Sequence, residues 1–420
     1  MAVTYSKLAH EVRDETAFAV LAIAKRLKAA GKDVIELEIG DSPFASTPAA
    51  KQAGHDAITA DQSHYAPSVG IPEMRRAAAD YVRREHGIDA KPENIVVGPG
   101  AKIFELLFCE AFLDVGDDVL VFAPYFPTYI PNILRRGGRI WTSDLKQSNA
   151  FRPEPAEVER FLKTAARPKA ILLNSPHNPT GGVAEEADLK AIADLVRGRD
   201  IAVLSDEPYD QMVWQGRHHS ILCQPGMMDQ AVAAYTFSKS YSMSGWRIGF
   251  AVSSEANVGL FGRLLNTSLS CTAPIVQLAA AAALQHDLEP RKTQMAAFRD
   301  KLRLLIAGLN TIAGFKCLEP RSTFYAFPSV APICNEHGIT SHGLALYLLE
   351  GADDSRGVAC LGGECFGPAG GGFLRFSCAE PDDRLRAAVD FVRDAVTRQD
   401  RIAAYLAKHP EHKLAKPYSV

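Results

Sequence analysis

The stretch Thr236-Phe-Ser-Lys-Ser-Tyr-Ser-Met-Ser-Gly-Trp-Arg-Ile-Gly249 lies between two apolar runs, 231–235 and 248–253. The first run reads as a buried strand. It delivers Lys239 to a polar, glycine-containing turn, and the chain heads back at Arg247. A lysine amine at a strand end, ringed by hydroxyls such as those of Thr236 and Ser238, suits one chemistry well. It can form an imine with an aldehyde cofactor, while the hydroxyls and the guanidinium eight residues on hold a phosphate.

Outward from this stretch, apolar runs recur at 94–98, 119–123, 170–174, 201–205 and 248–252, with helical stretches such as 183–197 between several of them. That alternation implies βαβ units and an α/β fold with a doubly wound, mainly parallel sheet, whose ligands sit outside the carboxyl ends of the strands. The polar motifs fall at those ends. Val97-Gly-Pro-Gly-Ala-Lys102 is a strand, a turn and a helix start, where the amides of Gly100, Ala101 and Lys102 form an anion site. Pro124-Tyr-Phe-Pro-Thr-Tyr129 and Asn174-Ser-Pro-His-Asn-Pro-Thr-Gly-Gly182 each follow a strand. Asp206-Glu-Pro-Tyr-Asp210 closes another. An acid at a buried strand end is costly unless a cation faces it, and a protonated pyridine nitrogen would serve; the other reading of Asp206 is a helix N-cap. Glu207, Asp210 and His177 read as solvent-facing or partly exposed.

The flanks are less regular. Residues 10–31 look helical, and Val34-Ile-Glu-Leu-Glu-Ile39 alternates like a strand before Gly40-Asp-Ser-Pro43. Tyr65-Ala-Pro-Ser-Val-Gly70 precedes a helix over 72–86. A helix over 290–308, with Arg291, Lys292, Arg299, Lys301 and Arg303 on exposed faces, marks a domain junction. Near the C-terminus, Arg375 stands between Leu374 and Phe376 after a glycine-rich loop, an awkward place for a cation with no anion to pair with. The tail from Ala407 is basic and polar and is expected to fray.

The lysine stretch resembles the motif of the fold-type I, class I/II aminotransferases, which bind pyridoxal 5′-phosphate (PLP). Ser238, Lys239, Tyr241, Met243, Gly245, Arg247, Ile248 and Gly249 match that pattern, and five further motifs follow in family order. The resemblance covers roughly 30–395. It implies a seven-stranded sheet in a large PLP domain (49–290), a smaller α+β domain from both chain ends (291–420 with part of 1–48), and a homodimer with shared active sites. It gives Lys239 the imine and the proton transfer, Asp206 the ring nitrogen, and Tyr209 and Asn178 the phenolic oxygen. Phe126 would stack on the ring. Gly100, Ala101, Lys102, Thr236, Ser238 and Arg247 would hold the phosphate, with Tyr65 reaching that of the neighbouring subunit. Gly40, Asn178 and Arg375 would meet the substrate carboxylate. The implied reaction moves an amino group between an L-amino acid and a 2-oxo acid. A lyase or synthase on the same scaffold, such as a carbon–sulfur lyase or an aminocyclopropane-carboxylate-synthase-like enzyme, shares these motifs. Positions that carry Thr and Lys in dicarboxylate-using members fall at Ala17 and Glu110, which favours a neutral or apolar donor over aspartate.

Composition sets outer bounds. A net charge of −3 over 420 residues gives no basic surface for nucleic acid or an anionic membrane. The apolar segment 17–24 is preceded by acids and followed by Lys25-Arg-Leu-Lys28, so it reads as an amphipathic helix and not a signal peptide. Eight cysteines without a Cys-x-x-Cys pair are expected to be reduced. These features fit a cytoplasmic enzyme with small-molecule substrates and no metal.

Overall fold

A computed structural model describes residues 3–11, 15–319 and 321–419. In chain order its strands are β1 (Asp33–Glu36), β2 (Ile95–Gly98), β3 (Asp118–Ala123), β4 (Arg139–Asp144), β5 (Pro168–Asn174), β6 (Ala202–Asp206), β7 (Ala231–Thr236), β8 (Gly249–Val252), β9 (Tyr325–Ala326), β10 (Arg356–Ala359), β11 (Leu361–Gly362) and β12 (Leu374–Ser377). β2 to β8 form a seven-stranded sheet in the order β2-β8-β7-β6-β5-β3-β4. Pairing is parallel from β7 through β6, β5 and β3 to β4, and β8 runs antiparallel to both β7 and β2. The α/β, mainly parallel sheet expected from the alternation is therefore present.

The continuous apolar runs have a direct cause. Along β5, Ile171 and Leu173 belong to one buried cluster and Ala170 and Leu172 to another; β6 and β7 split in the same way. Each central strand buries both faces, so every position is apolar instead of every second one. β4 is the exception that the sequence pattern misses. It is an edge strand in which only Ser143 is buried, and Arg139 anchors it through a two-pronged pair with Asp118 at 2.8 and 2.9 Å.

A separate apolar cluster joins the two ends of the chain. Val20, Ala24, Val34, Ile35 and Leu37 pack with residues of 295–406. β1 pairs in parallel with β10, and Ser377 donates to the Leu37 carbonyl at 2.7 Å. The helix expected over 10–31 is two helices, Lys7–Glu11 and Thr16–Ala29, with 12–14 outside the described residues. The tail does not fray over its described length. Leu414 donates to the Gly338 carbonyl, and Tyr418 exchanges two hydrogen bonds with Asn335 and donates its hydroxyl to Glu364.

Several polar residues expected at the surface are buried. Arg291 is 2% exposed, held by Tyr241 Oη at 2.8 Å and Glu85 at 2.9 Å. Glu207 accepts from Ser205, Ser220, Tyr235 and His218, and Asp210 from Tyr81, Gln211 and His86. Burial alone would raise both carboxyl pKa values. The partners outweigh it, His218 foremost for Glu207 and His86 for Asp210, so both lie below the ordinary carboxylate range. Burial likewise opposes the charge on His218, but Glu207 pulls its pKa up. The depressed carboxylates stabilise the fold above their unfolded pKa values and lose that contribution as pH falls through the folded ones. His218 contributes below its unfolded pKa and loses its share as pH rises through the raised one.

Glu207→Gln removes the counter-charge of a buried imidazolium, and we expect a loss of about 3 kcal/mol, near the low end for a broken buried pair because His218 can shed its proton. Urea denaturation followed by circular dichroism measures it. A midpoint equal to that of the unsubstituted protein would show that the network adds nothing.

Candidate active site

The carboxyl ends of β5, β6 and β7 open on a cavity of about 530 Å³. Its lining includes Gly40, Ala101, Lys102, Phe126, Asn178, Asp206, Tyr209, Thr236, Ser238, Lys239, Arg247 and Arg375. Twelve of the fourteen residues expected at the site thus share one space. Gly100 is the thirteenth, directly behind the wall. Its φ is +90°, and a Cβ there would lie 2.6 Å from Arg247 Nη2, so only glycine lets the turn and the guanidinium approach this closely. Tyr65 is the fourteenth. It is 90% exposed and does not line this chain's cavity.

Strand ends place the charged groups. Lys239 leaves the end of β7 and donates its Nζ to the Gly40 carbonyl at 2.5 Å, with the rings of Phe324 and Tyr209 at 5.5 and 5.8 Å. Asp206 ends β6, 4% exposed, and accepts from Tyr129 Oη at 2.5 Å. It starts no helix, so the N-cap reading is not realised. Burial pushes its carboxyl up to about 7, and Lys102 and Lys239 pull it back. Tyr209 sits 3.2 Å from the Tyr325 hydroxyl, and burial drives its phenol well above the ordinary range.

One side of the cavity is built for an oxyanion. Thr236 Oγ1 and Ser238 Oγ are 2.9 Å apart, and Arg247, at φ +54°, is steadied by the Ser244 and Pro99 carbonyls at 3.0 Å each. The helix Lys102–Phe112 begins at the same place, and its first turn brings free amides. Lys102 itself turns to Glu15 at 2.6 Å and lies 5.2 Å from the Phe126 ring centroid. On the other side Arg375 is 4% exposed and donates to Asn178 Oδ1 at 3.0 Å and to the Glu38 carbonyl at 2.5 Å. Its guanidinium lies 4.3 Å from the ring centroid of Tyr325 and 4.9 Å from that of Phe366.

These residues suit PLP on observations of the chain alone. A buried carboxyl, raised by desolvation, faces the closed end of the cavity, where a ring cation would restore its charge. Hydroxyls, a guanidinium and helix amides converge where a phosphate would sit, and a free amine stands between.

Sequence reasoning left several members without a role. Tyr129 holds Asp206, and Tyr325 packs so tightly on Gly40 that a Cβ there would lie 1.8 Å from its hydroxyl. Glu105 is buried and accepts from Thr128 at 2.5 Å. The signal for Glu105 was an acid inside the apolar helix Lys102–Phe112; Tyr325 gave none beyond a short β-like run. His177 is not a partly exposed loop histidine. It is 3% exposed, bonded through Nδ1 to Thr180 Oγ1 at 2.7 Å, and burial lowers its pKa to about 3. Of the two positions compared for a distal carboxylate, Ala17 lines the cavity, whereas Glu110 is exposed and does not.

Comparison with known proteins agrees with this geometry. The family model "Aminotransferase class I and II" matches residues 32–392. A probable aspartate/prephenate aminotransferase of Aquifex aeolicus is 34% identical over 401 residues, 93% of this chain and 98% of that one. Aromatic-amino-acid aminotransferase 2 of Thermococcus litoralis is 31% identical over 362 residues, 85% and 90% of the two chains. The solved aspartate aminotransferase of Thermus thermophilus with maleate superposes with a TM-score of 0.86 at 30% identity, covering 94% of this chain and all of the other. The strand order, the matched span and these likenesses agree that the chain belongs to the class I and II aminotransferases, a family of PLP-dependent enzymes.

Proposed function

We propose that this enzyme moves the amino group of a neutral or apolar L-amino acid to a 2-oxo acid, with Lys239 as both the cofactor's anchor and the proton carrier. What supports the reading is the convergence of Lys239, Asp206 and Arg375 on one cavity. Bound there, PLP supplies the electron sink that lets an α-carbon lose its proton. Asp206 holds the ring nitrogen positive, and Tyr129 orients its carboxylate. Arg375 grips the substrate carboxylate from a rigid seat between two rings, with Asn178 beside it. The Lys239 amine, once free, would take the proton from the substrate α-carbon and hold it for return. Tyr209 stands ready to donate to the cofactor's phenolic oxygen. Phe126 offers a ring face, and Gly100, Ala101, Lys102, Thr236, Ser238 and Arg247 receive the phosphate.

The donor preference rests on the remaining lining of the cavity. Ala17, Phe18 and Ile39 are apolar, and Glu15 and Asp41 are acidic. Among the described residues the cavity's cations are Lys102, Lys239, Arg247 and Arg375. All four have roles above, and Glu15 already pairs with Lys102. No cation is then left for a second substrate carboxylate.

Tyr65 and Ile58 are 90% and 65% exposed. We take this face to meet a second copy, with Tyr65 completing the partner's phosphate site. In the same reading the chain divides into a large PLP domain over 49–290 and a small domain from 291–420 with part of 1–48, and works in the cytoplasm. No described helix is long and apolar enough to cross a membrane.

Lys239→Ala should lower turnover by about 10³-fold or more, since covalent anchor and base are lost together; retained turnover in single-turnover assays with PLP would remove Lys239 from its role. Arg375→Ala should raise KM for every donor about 100-fold. Unchanged KM values would deny it the carboxylate. With leucine, methionine, phenylalanine and aspartate compared by kcat/KM, a neutral donor should lead aspartate by about tenfold or more. A lead for aspartate would overturn the preference.

A further inference from the structure

Glu38 has no place in the reaction as described, yet its main chain holds Arg375. Among the described residues it is the one carboxylate whose two oxygens are both buried without a hydrogen-bond partner. Its side chain is fully buried, one residue before the cavity-lining Ile39. Its main-chain carbonyl accepts from Arg375 Nη2 at 2.5 Å, while Arg375 Nε is itself buried without a partner. An ionised carboxyl in such a place is expensive unless a cation neutralises it.

The groups that act on the Glu38 carboxyl are few. Its own main-chain N–H and, less strongly, Arg375 favour its charge; Glu36 and Glu380 oppose it. Glu36 is matched by Lys28 at 2.5 Å, and Glu380 is offset by Arg384. The buried thiol of Cys360 feels Glu38 but is pushed well up by desolvation, so it stays neutral. Burial dominates over all of these and holds the Glu38 carboxyl at about 7.

The consequence is a competition for one guanidinium. With Arg375 unliganded, an ionised Glu38 balances its charge. When a second carboxylate docks on Arg375, two negative charges share one positive charge in a closed, poorly solvated space. Two carboxylates in one site cannot both stay ionised cheaply, and their titrations couple. The incoming group has direct hydrogen-bond donors in Arg375 and Asn178 and keeps its charge. Glu38, which has none, takes the proton.

We propose that Glu38 is the resident counter-charge of Arg375, and that a substrate carboxylate docking on Arg375 drives one proton from solvent onto Glu38. This rests on Arg375 being the carboxylate anchor. Glu38 acts through Arg375 and is a positioning residue. Because binding favours the protonated form, affinity is greatest at low pH and weakens as pH rises through the Glu38 value of the unliganded enzyme, about tenfold per unit until the liganded value is reached.

The test uses the PLP-loaded enzyme and two carboxylates that carry no amine, 4-methylpentanoate and succinate, between about pH 6.5 and 8.5, a window bracketing the Glu38 value. Calorimetry in buffers of different ionisation enthalpy counts the protons taken up, and the cofactor's own protonation is read from its absorbance in the same samples and subtracted. We expect an uptake approaching about one proton and a falling affinity in the natural enzyme. In Glu38→Gln both should vanish, and Glu38→Asp should restore them in part. No net uptake by the natural enzyme, or equal uptake in Glu38→Gln, overturns the proposal even if Gln at 38 folds poorly, since the first count needs no variant. If Arg375→Ala binds both probes as tightly as the natural enzyme, the anchor reading fails instead, a separable result.

Discussion

A carboxylate at the closed end of a β-strand is the constraint on which the site depends. Asp206 ends β6, which is buried on both faces, and burial lifts its carboxyl to about 7. A sheet that hid this group without a cationic partner would be less stable for it. The fold tolerates it because Tyr129 fixes one oxygen and the cavity leaves room for a ring cation. The cost of desolvation then becomes the device that strengthens the ion pair when the cofactor arrives, since the same low dielectric that penalises a lone charge favours a matched one.

The same turn carries charge to two places. Asp206 and Tyr209 face the cavity, whereas Glu207 and Asp210 join His218, His86, Tyr235 and Tyr81 in a separate buried network. The second set is paired within the chain, and its bonds on the residues beside Asp206 steady the turn that carries it.

How much of this could be read from residues follows from what each residue needs. Lys239, Asp206 and Arg375 stood out because each sets a charge at the end of, or inside, an apolar run, whereas Asn178 was legible through the family motif it completes. The central strands were plain because both faces are buried. β4 was not, because an edge strand needs no apolar face and Arg139 holds it by an ion pair. Glu207, Asp210, His177 and Arg291 were misjudged because a polar or charged residue reads as exposed unless its partners and burial are known. Some partners lie far off in sequence, His86 at 124 residues from Asp210 and Glu85 at 206 from Arg291; Ser205 is two residues from Glu207 and Thr180 three from His177, but the local sequence does not show that the fold buries them. The tail shows the same effect, since Tyr418 is held by Asn335, 83 residues away. Glu38 falls on the polar side of the alternation read over 34–39, yet β1 ends at Glu36 and Glu38 is fully buried; nothing in that run could reveal that its main chain meets Arg375.

The cations of the cavity also explain how one scaffold can serve donors of different chemistry. Relatives are named for aspartate and for aromatic amino acids, so the shared motifs do not choose the side chain. In the proposed reading Arg375 takes the carboxylate end; pinned between Tyr325 and Phe366, it could not move to serve a second charge without losing both ring contacts. Arg247, whose guanidinium is tied to two carbonyls, takes the phosphate end in the same reading. That reading leaves selectivity to the rest of the lining: Ala17 and Phe18, and Lys102, which is paired with Glu15. A distal carboxylate would have to displace Glu15 from Lys102 and bring a second negative charge beside Asp41, whereas an apolar side chain needs only to cover Ala17 and Phe18. The first exchange trades one exposed ion pair for another and gains little; the second removes apolar surface from water and is favourable without any rearrangement.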